Sequence, residues 1–132
     1  MWAWSDGTVK QGEGAHAYTL RTSSDDPREC SEGSSMTPGD PSTICSLRTE
    51  HYGAFAIALI AHIICIRHTI TETTGCLNFY MDNDTVIKRL KYGVLSEMGA
   101  TKYCKTEFDV WAETVKILDL LPCEHAQVHS LV

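Results

Sequence analysis

The chain has 132 residues, 43% of them hydrophobic and 21% charged, enough for one domain with its own core and too balanced for wholesale disorder. A net charge of −6 excludes a surface that is basic all over, so a nucleic-acid partner must be met by a local patch. Six cysteines without a C-x-x-C pair, and no secretory signal ahead of them, read as free thiols in a reducing, intracellular compartment, cytoplasm or nucleus.

Met1 to Lys10 and Ala15 to Thr22 are strand-like, and Gln11-Gly12-Glu13-Gly14 between them predicts a hairpin. Trp2, Trp4 and Asp6 share parity, so one pleat face carries two aromatics and ends in an acid. Ser23 to Thr43 is rich in Ser, Asp, Gly and Pro and predicts a long loop, where a short third strand near Glu29 to Ser35 competes with an irregular path. Ser46 is the expected N-cap of a helix reaching Ile66 or His68. Within it, Tyr52 to Ile66 is apolar all round apart from His62, a core or edge histidine. That run is short of the roughly 20 apolar residues of a membrane span, so burial on several sides is expected and no membrane partner. Glu50 falls near the positive end of the helix dipole, which favours its ionised form.

Thr73-Thr74-Gly75 interrupts the chain before Cys76 to Met81, a buried strand by length and content. Asp82-Asn83-Asp84 follow, and Asn83 or Asp84 caps a helix beginning at Thr85. A second amphipathic helix runs from Glu107 or Phe108 to Leu121 and stops at Pro122, after which Glu124 to His129 is a candidate last strand. Cys123, His125 and His129 offer fewer donors than a structural zinc site takes, so zinc is not expected. Between Lys88 and Lys105, five basic residues (Lys88, Arg89, Lys91, Lys102, Lys105) face the single acid Glu97. This is a candidate anion-facing segment, competing with an ordinary solvated helix face.

A hairpin, a helix, then a strand followed by helices makes a mixed α/β sheet, because a strand-helix-strand crossover leaves its strands parallel. Asp6 on the first strand, Glu50 at the mouth of the crossover helix and Asp82 at the next strand's end can then gather. Clustered carboxylates repel and raise one another's pKa, a cost that divalent ions remove. Singly, Asp82 reads as a helix cap and Glu50 as a first-turn acid; all three in this order favour a shared site.

Four segments carry a family likeness: Trp4-Ser5-Asp6-Gly7-Thr8-Val9-Lys10 with its glycine hairpin, Ser46-Leu47-Arg48-Thr49-Glu50-His51-Tyr52-Gly53, Tyr80-Met81-Asp82-Asn83 and Ala126-Gln127-Val128-His129. In them the chain resembles the ribonuclease H domains attached to reverse transcriptases of retroelements. The resemblance implies a type 1 ribonuclease H fold over residues 1–132. That is an α/β domain with a mixed five-stranded sheet, three antiparallel strands then two parallel, and helices on both faces. The last helix is expected to be missing, leaving the domain incomplete at its C-terminus.

The implied activity is metal-dependent endonucleolytic hydrolysis of the RNA strand of RNA/DNA hybrids. Mg2+ or Mn2+ would sit in a two-metal site held by Asp6, Glu50 and Asp82, one ion activating water and the other stabilising the leaving 3′ oxygen. His129 corresponds to a catalytic histidine, with Val128 where the family pattern has glycine. Lys88, Arg89, Lys91, Lys102 and Lys105 fall where family members contact the DNA strand, in a recognition mode that reads shape, phosphates and 2′-hydroxyls. The family's fourth aspartate has no counterpart before Val132, so the metal site is expected to be incomplete. Two functional expectations follow: a nuclease domain of a reverse transcriptase polyprotein, or a non-catalytic ribonuclease H-like module that binds nucleic acid or is a remnant.

Overall fold

The computed structural model describes residues 1–22, 26–71, 73–92 and 107–130. In chain order it contains β1 (Trp2–Lys10), β2 (Glu13–Arg21), β3 (Cys30–Met36), α1 (Ser46–Arg67), β4 (Thr73–Met81), α2 (Asp84–Tyr92), α3 (Phe108–Leu120) and β5 (Cys123–Ser130). The strands form one sheet in the order β3-β2-β1-β4-β5. Pairing is antiparallel from β1 to β2 and β2 to β3, and parallel from β1 to β4 and β4 to β5.

The hairpin turns on Gln11 and Gly12, both at positive φ (53° and 79°). Such a two-residue turn matches the right-handed twist of antiparallel strands, so β2 starts at Glu13, earlier than the turn-rich spelling suggested. Within the Ser- and Gly-rich stretch the third strand does form, because Cys30–Met36 completes a backbone ladder along β2 from Arg21 to Ala15. Main-chain pairing outweighs a polar composition there.

The start of α1 differs by one residue from expectation. Cys45 has extended backbone, and its Sγ accepts from the Arg48 amide at 3.4 Å, so the thiol is the N-cap and Ser46 is already helical. Thr49 Oγ1 adds a bond to the Cys45 carbonyl at 3.0 Å. At α2, Asn83 Oδ1 accepts from the Thr85 and Val86 amides at 3.1 and 3.2 Å, so Asn83 is the cap and Asp82 is not.

One core holds these elements together. Ala3, Leu20, Leu77 and Phe79 from the sheet meet Ala54, Ile57, Ala58 and Ala61 of α1, Val86, Ile87 and Leu90 of α2, and Trp111 of α3. The three described helices all contribute to this core. Residues of opposite parity point away from that core. Among them Trp4 stacks on Tyr80 with centroids 5.5 Å apart, and Tyr80 on His129 at 4.9 Å, an aromatic ladder across β1, β4 and β5.

Candidate metal centre

Parallel pairing of β1 with β4 runs Trp2 to Asn78, Ala3 to Phe79 and Trp4 to Tyr80. Continued past the end of that ladder, the register sets Asp6 level with Asp82, and their shared parity points both carboxylates the same way. Glu50 comes from the other direction, out of the first turns of α1. Its approach depends on Gly7: a Cβ there would lie 2.8 Å from Thr49 Cγ2 and 3.2 Å from the Thr49 carbonyl carbon. Without a side chain at that position, α1 crosses β1 closely enough for the Gly7 amide to donate to Glu50 Oε1 at 3.1 Å. The same amide lies 2.9 Å from Asp6 Oδ1. Carboxylate oxygens of Asp6, Glu50 and Asp82 consequently lie within 4.8 Å of one another.

The three acids differ in environment. Asp6 and Asp82 are exposed, whereas Glu50 is 4% exposed and its Oε2 is buried without a hydrogen-bond partner. Burial first, then the charges of Asp82 and Asp6, push the Glu50 carboxyl up to about 7, against the Gly7 amide, which lowers it. The expected help from the helix dipole is overridden, because that field fades within the first turn and Glu50 lies just beyond it. A cluster of hard oxygen donors, one of them orphaned and buried, with mutual repulsion that positive charge relieves, fits a hard divalent cation.

Behind Glu50 lies a charged network that no sequence spacing announced. His51 is fully buried, and Arg89 Nη1 donates to its Nε2 at 3.1 Å. Burial, then the Arg89 charge, pushes His51 down to about 3. The Arg89 guanidinium sits 5.1 Å over the Trp111 ring and 3.9 Å from Glu107, while Trp111 Nε1 donates to the Arg89 carbonyl at 3.1 Å. Arg48 pairs with both carboxylate oxygens of Asp109, at 3.3 and 3.1 Å, tying the start of α1 to that of α3.

These positions revise part of the expected site. With its side chain 12% exposed, Arg89 is a structural bridge between α1, α2 and α3 and not a surface cation facing DNA. Lys88 is exposed and pairs with Asp84 at 2.6 Å, Lys91 is exposed near the end of α2, and Lys102 and Lys105 lie outside the described residues. His129 is not gathered with the carboxylates: its Nε2 meets Asn78 Oδ1 at 3.0 Å, and its ring belongs to the ladder on Tyr80.

No protein-family model matches this sequence, and no curated protein does. Solved structures do. A ribonuclease H1 from the halophilic archaeon Halobacterium salinarum aligns with TM-score 0.59 at 15% identity, covering 98% of this chain and 83% of that one. LC11 ribonuclease H1 in complex with an RNA/DNA hybrid aligns with TM-score 0.67 at 10% identity, over 98% and 83%. The N-terminal ribonuclease H domain of rv2228c from Mycobacterium tuberculosis gives 0.59 at 9%, over 98% and 81%. Identities this low speak for architecture alone, and with the mixed sheet of the same strand pattern they establish that the chain has the ribonuclease H-like fold.

Proposed function

We propose that this chain is a ribonuclease H-type domain that hydrolyses the RNA strand of RNA/DNA hybrids, using divalent cations at Asp6, Glu50 and Asp82. The observation that carries the reading is the convergence of these acids from β1, α1 and the end of β4 to within 4.8 Å on this fold. One of the similar structures is itself a ribonuclease H1 bound to a hybrid. The motif likeness to reverse transcriptase-linked domains supports a retroelement origin, with a parent polyprotein as partner. The cysteine spacing supports an intracellular setting.

The chain's own residues divide the work. Glu50 is anchored through Oε1 by the Gly7 amide and presents Oε2, while Asp6 and Asp82 form the solvent-facing rim that a phosphodiester would meet. Bound Mg2+ or Mn2+ would offset the three negative charges and supply Lewis-acid chemistry at the scissile phosphate, the two-metal arrangement of the family being part of this proposal. Lys88 and Lys91 on α2, with Lys102 and Lys105, would supply the local positive charge that a −6 chain needs against a polyanion. A role for His129 in catalysis requires its ring to leave the contact with Asn78.

The test is cleavage of an end-labelled hybrid in Mg2+ or Mn2+ by the wild-type chain and by Asp6→Asn. Shortening of the RNA strand alone, by wild type alone, is the expected result. Equal cleavage by both proteins sinks the claim, and salt-dependent hybrid binding without turnover reassigns the chain to the non-catalytic reading.

A further inference from the structure

The polar network beside Glu50 is costly in its make-up. His51 is fully buried, with its Nε2 3.1 Å from Arg89 Nη1. A guanidinium can only donate, so Nε2 accepts and the ring is the neutral tautomer with its proton on Nδ1. That Nδ1 is buried without a hydrogen-bond partner among the described residues. Glu107, the counter-charge 3.9 Å from Arg89, has its backbone in the left-handed region (φ 62°) and a side chain only 7% exposed. An orphaned N–H, a desolvated ion pair and a non-glycine residue at positive φ each oppose folding, where apolar side chains would not. Such local conflicts gather where geometry serves a site.

The placement of the network shows what it holds. His51 follows Glu50 on α1, and Arg89 stands on α2, which begins two residues after Asp82. The Arg89–His51 bond therefore couples the helix that carries Glu50 to the helix that continues from Asp82. In the same turn of α1, Arg48 is tied to Asp109 of α3. A carboxylate lies about 6 Å from its helix axis, so a rotation of α1 by about 10° would carry Glu50 about 1 Å. Metal–ligand distances tolerate only about 0.2 Å. We infer that Arg89 is a positioning residue which, through His51, fixes the rotation of α1 and holds Glu50 in place beside Asp6 and Asp82 before a cation arrives. This rests on the reading of the three acids as one cation site, and it adds to the bridging of helices a direct effect on that site.

Two readouts test it, with circular dichroism as the check that each variant folds. One is Mn2+ affinity measured by calorimetric titration. The other is the Gly7 amide resonance in EDTA, which reports the position of Glu50 without a cation because this amide donates to Glu50 Oε1. Arg89→Ala and His51→Leu should each weaken Mn2+ binding on the order of tenfold and shift the Gly7 resonance. His51→Gln, which keeps an acceptor where Nε2 stands, should restore both. Leu20→Ala truncates the core three pairs along the β1–β2 ladder from Asp6, and it should lower stability while leaving both readouts as in wild type.

Wild-type Mn2+ affinity in Arg89→Ala and His51→Leu would overturn the inference, as would no recovery in His51→Gln or an equal loss in Leu20→Ala. A wild type that binds no Mn2+, or an Asp82→Asn variant that binds it equally, strikes the cation reading instead. The Gly7 resonance then decides for the positioning role by itself: a shift in Arg89→Ala and His51→Leu upholds it, and an unmoved resonance overturns it.

Discussion

Glu50→Gln should stabilise the cation-free protein above neutral pH. Glu50 is 4% exposed, and its carboxyl is pushed from the ordinary 4.5 up to about 7 by burial, Asp82 and Asp6, in that order. With the folded-state value above the unfolded one, the group's contribution to stability is full below 4.5 and lost as pH rises to about 7. At about 1.36 kcal/mol per factor of ten, the loss is about 3 kcal/mol, which glutamine avoids while still accepting from the Gly7 amide. His51, at 0% exposure and pushed from 6.5 down to about 3, acts in the opposite sense: its contribution is present above 6.5 and lost as pH falls towards 3. The two slopes overlap and offset one another, so the difference between wild type and variant is the quantity to follow. Urea unfolding in EDTA at a series of pH values from about 4 to 8.5 measures it. That difference should grow in the variant's favour by about 3 kcal/mol across the range. A difference that does not change with pH, or a variant that loses ground as pH rises, would refute the claim that Asp6, Asp82 and burial strain Glu50.

Three further outcomes are expected. Gly7→Ala places a methyl 2.8 Å from Thr49 Cγ2 and close to the α1 backbone, so it should cost about 1–3 kcal/mol in urea unfolding and reduce hybrid cleavage in the protein that remains folded. Arg89→Ala removes the donor to His51 and leaves Glu107 without that cation, so it should cost about 3 kcal/mol of stability while leaving the salt dependence of hybrid binding unchanged. Lys91→Ala should do the reverse, keeping stability within about 0.5 kcal/mol and reducing the slope of binding against salt by about one.

Much of this site was legible because it rests on local chemistry. Asp6 and Asp82 are read from strand parity and strand ends, and Glu50 from its place at the head of an apolar helix, so their convergence follows once the crossover makes β1 and β4 parallel. The upward push on Glu50 was legible in part: mutual repulsion of the three acids was expected to raise it, whereas the burial that leads the causes depends on how α1 packs. Arg89 was misread for a related reason. A run of lysines and arginines looks like one charged face, but Arg89 is turned inward by partners on α1 and α3, His51 and Trp111, that no local pattern connects to it. The Cys45 cap was missed because Ser46 is the better capping residue by propensity, and only the backbone conformation shows that the helix begins one residue earlier.

Asp6, Glu50 and Asp82 should act as one cation site. Mn2+ titration of the wild-type chain, followed calorimetrically and by electron paramagnetic resonance, measures this beside Asp82→Asn. Saturable binding by wild type, weakened on the order of tenfold or more in the variant, is the predicted result. Absence of binding by wild type, or equal binding by both proteins, would contradict it.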